Sequence, residues 1–123
     1  MRFTVRIGQS AALATLILFA IPAFAQTFNS SIGGTVTDSS GALVANAVVT
    51  ATGIDTGVAT QTKTNASGVY EFPSLQEGNY RVSAMQAGFK ELVYDKVVLD
   101  VGAQVRLNFT LEVGSPWGRI RAK

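Results

Sequence analysis

Turn signals recur about every ten residues from Ser30 onward, and this spacing constrains the fold more than any other feature of the chain. The stretches between turns are rich in Thr, Val, Gly and Ala, and they carry no convincing helical repeat of apolar residues. The turns include DSSG at 38–41 and NASG at 65–68. In such turns an Asp or Asn side chain caps backbone amides and glycine supplies a positive φ. This rhythm predicts short antiparallel strands in a sandwich or barrel.

Alternation of apolar and polar residues places about seven strands between the turns. The alternation is clearest at 105–111, where Val, Leu, Phe and Leu are interleaved with polar residues. One face of such a strand lies on a core and the other in water. The predicted strands lie near 32–36, 47–51, 58–64, 69–72, 80–84, 97–99 and 105–111. The sequence therefore predicts an all-β domain, a seven-stranded Greek-key β-sandwich.

The first 25 residues have the order of a secretory signal peptide. Arg2 and Arg6 precede an apolar stretch at 11–21, and AFA at 23–25 supplies the small residues that signal peptidase accepts. The apolar stretch is shorter than the ~20 residues of a membrane-spanning helix, so an uncleaved anchor is the weaker alternative. We expect a helical signal peptide, a mature chain that starts at Gln26, and a location in the periplasm or outer membrane.

The chain contains no cysteine and no histidine. Disulfides, thiol nucleophiles, Ser-His-Asp triads and Cys/His zinc sites are therefore impossible, as is a lipid anchor on cysteine. The aspartates are scattered singly, without the Asp-x-Asp loop of a calcium site, and nothing places Glu71 beside Glu77 as an acid and base pair. We expect no metal, no cofactor, no catalytic residue and no enzymatic activity.

The formal net charge of the chain comes from the signal peptide. Ten basic residues exceed eight acidic ones by two, and Arg2 and Arg6 account for the difference, so the mature chain is formally neutral. Nucleic-acid binding needs a basic face that gathers phosphates. We therefore expect no nucleic-acid partner.

Aromatic residues are the candidate ligand-binding groups, because aromatic faces stack on sugar rings. The strand pattern turns three of them inward, namely Tyr70, Phe72 and Tyr80. Core packing is the better interpretation of those three. Phe89, Tyr94 and Trp117 are less constrained by the pattern and are the possible ligand-binding residues, with carbohydrate as the ligand.

Short motifs follow one another along the mature chain in a definite order. They are GTVTD at 34–38, AVV at 47–49, TG at 56–57, TNASGVY at 64–70, Leu75 with GNY at 78–80, and AGF at 87–89. Each motif alone is turn chemistry plus a core residue. Together they resemble the carboxypeptidase regulatory-like domain, a transthyretin-like β-sandwich. The resemblance covers 30–114, and we expect the remaining residues, 115–123, to be a disordered tail.

The TG pair and the closing LEVG at 111–114 also resemble the version of this domain at the front of TonB-dependent outer-membrane receptors. In those receptors the sandwich precedes a plug and a barrel, whereas this sequence runs to Lys123 without either. We expect a non-catalytic accessory or interaction module of the cell envelope, the N-terminal domain of a truncated receptor, with only indirect contact to the membrane.

A protein partner in the envelope, or the remainder of the receptor, would bind at sheet edges or loops, where backbone groups can pair with a partner strand. Two alternatives remain open. One is a free-standing secreted module, and the other is a carbohydrate-binding β-sandwich.

Overall fold

The computed structural model describes residues 29–115 and 118–122, and the signal peptide predicted at 1–25 lies outside them. Nine strands are present in the described part, namely β1 (Ser30–Asp38), β2 (Val48–Gly53), β3 (Ala59–Lys63), β4 (Val69–Leu75), β5 (Gly78–Met85), β6 (Glu91–Leu99), β7 (Gln104–Arg106), β8 (Phe109–Leu111) and β9 (Arg119–Ala122). Within the same residues, no helix has the length and apolar character needed to cross a membrane.

The strands form two sheets that pack into a sandwich, which confirms the predicted fold class. The four-stranded sheet has the order β4-β1-β7, and β8 also pairs with β1. Its central strand β1 is antiparallel to β4 and parallel to β7 and β8. The five-stranded sheet has the order β3-β2-β5-β6-β9, with only the β6–β9 pair parallel. Apolar inner faces of both sheets share one core, as a two-layer sandwich requires.

The seven predicted strands correspond to β1 to β6 and to β7 and β8 together, because the predicted last strand is interrupted at 107–108. The prediction of a disordered tail at 115–123 is wrong for Arg119–Ala122, which forms β9. β9 pairs with the edge of β6, and Ile120 and Ala122 pack against the core. Four residues are too few for alternation to be recognised, and the strand that stabilises them is distant in sequence.

The core contains the aromatic residues that the strand pattern turned inward. Tyr70, Phe72 and Tyr80 are buried, as predicted. The Tyr70 ring centroid lies 6.0 Å from that of Phe72 and 5.8 Å from that of Phe109. Burying a large apolar side chain contributes about 1.5–3 kcal/mol, so a core of this kind stabilises a small domain without disulfides.

A break in hydrogen bonding separates β7 from β8 where both run beside β1. The Leu107 carbonyl accepts a hydrogen bond from the Tyr70 hydroxyl. The Thr35 N–H donates to the Asn108 side-chain oxygen at 3.0 Å instead of to a backbone carbonyl. Gly34 makes this approach possible, because a Cβ there would lie 2.0 Å from the Leu107 carbonyl oxygen. The pairing register is the same on both sides, so the break changes the hydrogen bonds without shifting the strand.

Two connections confirm the capping chemistry expected from the sequence. In each, the side-chain oxygen of Asp38 or Asn65 accepts hydrogen bonds at 2.9–3.0 Å from backbone N–H groups two and four residues later. Gly41 and Gly68 supply the positive φ. The Ser40 hydroxyl, followed by backbone amides, holds the pKa of the Asp38 carboxyl below its usual value. These caps fix both turns around β1 and β4.

Candidate functional site

Each sheet has two edges where a partner strand could pair, and three of the four carry features that obstruct pairing. β4 contains Pro73, which has no N–H, and its pairing with β1 is irregular nearby. β7 and β8 are three residues each and are separated by the break. β9 has four residues, including Arg119 and Arg121. β3 is the exception, with five residues, no proline and a single charge at Lys63.

Hydrogen bonds at both ends of the β2–β3 pair show which side of β3 is occupied. In the described part of the chain, β3 pairs only with β2. The Gly53 N–H donates to the Val58 carbonyl at 2.9 Å, and the Thr64 N–H donates to the Ala47 carbonyl at 3.0 Å. Backbone groups alternate between the two sides of an antiparallel strand. The even-numbered residues of β3 therefore direct their N–H and C=O groups toward β2.

The odd-numbered residues of β3 direct their backbone groups away from the sheet. They are Ala59, Gln61 and Lys63, and all three are exposed. In register they lie opposite Thr52, Thr50 and Val48 of β2, whose side chains belong to the outer face of the five-stranded sheet. The β3 edge, defined by these three residues, thus presents three backbone donors and three acceptors to a partner strand.

A shallow groove of about 270 Å³ crosses the outer face of the same sheet, where β5, β6 and β9 lie side by side. The Asp95 carboxylate lies 3.6 Å from the Arg81 guanidinium and 3.8 Å from that of Arg121. Arg119 pairs with Glu91 at 3.2 Å. Each arginine side chain is more than half exposed, so donors outside the ion pairs face solvent. We name this the arginine groove, and it offers donors and acceptors to a ligand rich in hydroxyls.

Sequence reasoning did not single out the arginine groove. Arg81 and Asp95 belong to different strands, and Arg121 lies in the segment expected to be disordered. Only the registers of β5 with β6 and of β6 with β9 bring the three together. For β3 the sequence was more informative, because a threonine-rich strand is typical of an exposed position, and four of its five residues are exposed.

The structure describes two of the three aromatic residues predicted to bind a ligand, and Trp117 lies outside the described residues. The Tyr94 ring lies edge-on to Phe109 with centroids 5.1 Å apart, and its hydroxyl donates to the Asn108 carbonyl at 2.8 Å. Phe89 is half-buried and packs against the core. Both residues therefore have a structural role, and ligand binding by them stays a prediction.

Glu71 and Glu77 lie in different parts of the sandwich. Glu71 lines a concavity on the outer face of the four-stranded sheet, whereas Glu77 lines another at one end of the sandwich. Among residues 29–115 and 118–122, no three acidic side chains come close enough to hold a metal ion. The structure thus does not bring together the two glutamates considered as an acid and base pair.

The two-layer β-sandwich is the architecture that the sequence motifs implied, and the structure adds that β1 lies at the centre of the smaller sheet. The carboxypeptidase regulatory-like domain family matches residues 31–112 of the 123-residue chain. The chain belongs to this family, and the resemblance inferred from the ordered motifs is confirmed.

Solved structures with the same fold come from several kinds of protein. A candidate carbohydrate-binding protein from Bacteroides uniformis superposes with a TM-score of 0.56 at 17% identity, covering 68% of this chain and 41% of that one. A chain of a cohesin–X-dockerin complex from Acetivibrio cellulolyticus gives 0.57 at 16% identity, covering 70% and 59%. Identities this low show the fold alone. The chain spans less than two thirds of the length of either structure.

The prediction that the chain is not an enzyme is contradicted by an enzyme domain with this fold. The dioxygenase domain of a dioxygenase and carbohydrate-binding fusion from Streptomyces sp. SirexAA-E superposes with a TM-score of 0.55 at 14% identity, covering 73% of this chain and 84% of that one. The lack of cysteine and histidine limits the chemistry of this chain, but a sandwich of this shape does accommodate catalysis. The likeness shows the fold and assigns no reaction to this chain.

Proposed function

We propose that this chain is an exported interaction module of the cell envelope that binds a protein partner through the β3 edge. The observation that carries the proposal is the edge of β3, which no other strand of residues 29–115 and 118–122 covers. Its outward backbone groups at Ala59, Gln61 and Lys63 suit strand addition, in which main-chain hydrogen bonds supply affinity. Natural proteins obstruct such edges with proline, charge or irregular pairing, as the other three edges do here. The β3 edge has no proline, no irregular pairing and a single charge, which supports its role as a binding surface.

Export is the part of the proposal that rests on residues 1–25 and is tested through their cleavage. The full chain is expressed in an exporting bacterial host, and the mass of the product is measured in periplasmic and cytoplasmic fractions. We expect a periplasmic product that starts at Gln26. Ala25→Arg should block cleavage, because signal peptidase requires a small residue there, and Gln26→Ser should be processed normally. A wild-type product that keeps Met1 and stays in the cytoplasm would refute export.

Within this role we propose that the module is the N-terminal domain of a TonB-dependent receptor. The TG pair at 56–57 and LEVG at 111–114 support this assignment by resemblance. The test is to read the gene in all frames beyond the Lys123 codon. A plug and barrel sequence there would support the receptor assignment, and unrelated sequence would overturn it while leaving the interaction role in place.

Carbohydrate binding is the second candidate, and the arginine groove favours it. Guanidinium and carboxylate groups side by side on an open sheet face can donate to and accept from sugar hydroxyls. The candidate carbohydrate-binding protein from Bacteroides uniformis shares the fold. Affinity electrophoresis in polysaccharide gels tests this, with Arg81→Ala expected to reduce retardation and Lys63→Ala, on the same face but remote from the groove, as control.

The aromatic residues belong to the same test. If Phe89, Tyr94 or Trp117 stacks on a sugar ring, its replacement by Ala should reduce retardation of a protein that remains folded by circular dichroism. Wild-type migration that polysaccharide leaves unchanged would rule out the carbohydrate role.

A further inference from the structure

We infer that the β3 edge pairs with the β3 edge of a second copy of this chain, in an antiparallel arrangement centred on Gln61. This inference rests on the proposed interaction role and names the partner at the same edge. A two-fold axis through Gln61 would place Ala59 of each copy opposite Lys63 of the other. Because the outward backbone groups belong to Ala59, Gln61 and Lys63, all three pairs are of the hydrogen-bonded kind.

The hydrogen bonds of this arrangement can be counted from the strand pattern. Each hydrogen-bonded pair exchanges two N–H···O bonds, so the three pairs form about six bonds across the interface. No proline interrupts either edge, and β3 is five residues long in each copy. The two five-stranded sheets would then form one continuous sheet, with both arginine grooves on the same side.

Side-chain chemistry at the edge fits a second copy. The edge strand has one charged residue, Lys63, and the two-fold axis places it opposite Ala59 and away from its own equivalent. Thr60 of each copy faces Thr62 of the other, a polar pair that is favourable across strands. Gln61 faces its own equivalent, and an amide side chain both donates and accepts. The edge thus avoids opposing like charges across the two-fold axis and is complementary to itself in hydrogen bonding.

The size of the edge sets the strength of the pairing. Five residues per copy bury less than the roughly 1,200–2,000 Å² of stable complexes, so the dimer should be weak, with a Kd on the order of 0.1–1 mM. Attachment to a membrane would raise the local concentration and favour pairing. A weak dimer of this kind is measurable by sedimentation velocity over a concentration series.

Residue-by-residue amide hydrogen exchange gives the sharpest test, because the two sides of β3 should differ. In the exported chain, the Thr60 and Thr62 amides bond to β2 and should be protected at every concentration. The Ala59, Gln61 and Lys63 amides should be protected only as concentration rises through the Kd. Protection that is independent of concentration, or that requires another envelope protein, would overturn self-pairing.

Charge substitutions at Ala59 provide matched variants that leave the monomer intact, because this side chain is exposed. Ala59→Glu places a carboxylate opposite Lys63 of the other copy, twice per dimer, and should lower the Kd. Ala59→Lys places like charges there and should raise it. Two exposed pairs correspond to a change of roughly 2- to 30-fold in each direction, and the change should shrink in high salt.

The outcomes separate this inference from the proposed function. A wild-type chain that stays monomeric at several times the expected Kd, or equal effects of Ala59→Glu and Ala59→Lys, would overturn the self-pairing. Neither result bears on cleavage after Ala25. Failure of export, in contrast, would overturn the proposed function whatever the oligomeric state.

Discussion

The close approach of Gly34 to the break between β7 and β8 predicts a large effect of a single methyl group. In Gly34→Ala the new Cβ would lie 2.0 Å from the Leu107 carbonyl oxygen and 2.7 Å from its carbon, whereas real Cβ atoms essentially never come within 3.0 Å of another atom. Both atoms are backbone, so no flexible side chain can move aside. The segment at Leu107 must therefore retreat by about 1 Å.

The cost of that movement follows from the hydrogen bonds that depend on it. The Leu107 N–H donates to the Gly33 carbonyl at 2.8 Å, and the Asn108 side chain accepts the Thr35 N–H at 3.0 Å. A 1 Å displacement takes both beyond hydrogen-bond range and also disturbs the bond from Tyr70. Losing three hydrogen bonds costs about 1 kcal/mol each. Alanine also stiffens the unfolded chain, which offsets about 0.4–1 kcal/mol, so the free energy of unfolding should fall by about 2–3 kcal/mol.

Thermal and urea unfolding of the exported chain measure this loss directly. A destabilisation of this size lowers the Tm by about 10–20 °C in a domain of this length. Gly33→Ala is the matched control, because a Cβ there meets its nearest atom, the Tyr70 carbonyl oxygen, at an ordinary 3.5 Å. We expect the free energy of unfolding of that variant to lie within about 1 kcal/mol of the wild-type value. Equal stabilities of the two variants would refute the reasoning.

Two further predictions concern buried hydroxyl groups. Thr64→Val should lower the free energy of unfolding in urea by about 2–4 kcal/mol, because the buried hydroxyl donates to the Val44 carbonyl at 2.7 Å and accepts the Ala47 N–H at 2.9 Å. Thr60→Val, at an exposed threonine of β3, should change it little, and similar losses would contradict this account. Burial raises the pKa of Tyr70 above its usual 10.0. The contribution of Tyr70 to stability is therefore fully present below pH 10 and falls above pH 10, where its hydroxyl ionises in the unfolded chain. The Tyr70 share of this slope, at most about 1.4 kcal/mol per pH unit, should be lost in Tyr70→Phe, and the share of Tyr80, whose pKa is also raised by burial, should remain. An unchanged slope would assign it to other groups.

The sequence predicted those parts of the fold that are encoded locally. Alternation at 105–111 and the caps at Asp38 and Asn65 depend on neighbouring residues, so pattern reasoning found the strands and turns that β1 and β4 require. Alternation did not find the break at Leu107, because the inward and outward phases are unchanged across it. The break depends on contacts with Gly34 and with Tyr70, both remote in sequence.

The candidate surfaces were less predictable for the same reason. An exposed β3 could be expected from its threonines, but its unpaired side depends on the strand order of the whole sheet. The arginine groove joins Arg81, Asp95 and Arg121 through two strand registers, one of them parallel. Tyr94 was open to either role from sequence, and the packing of its ring on Phe109 is a contact between the two sheets.

The central position of β1 also has a consequence for the timing of folding. Ser30–Asp38 is the first of the described strands to leave the ribosome, yet its parallel partners follow 73 residues later. A strand that must wait for such distant partners gives a high contact order and slow folding. For a chain that crosses a membrane unfolded, as proposed here, this delay is useful. In an exported chain the four-stranded sheet would not be complete until Leu111 had followed Ser30–Asp38 across the membrane, because β8 is one of the partners of β1.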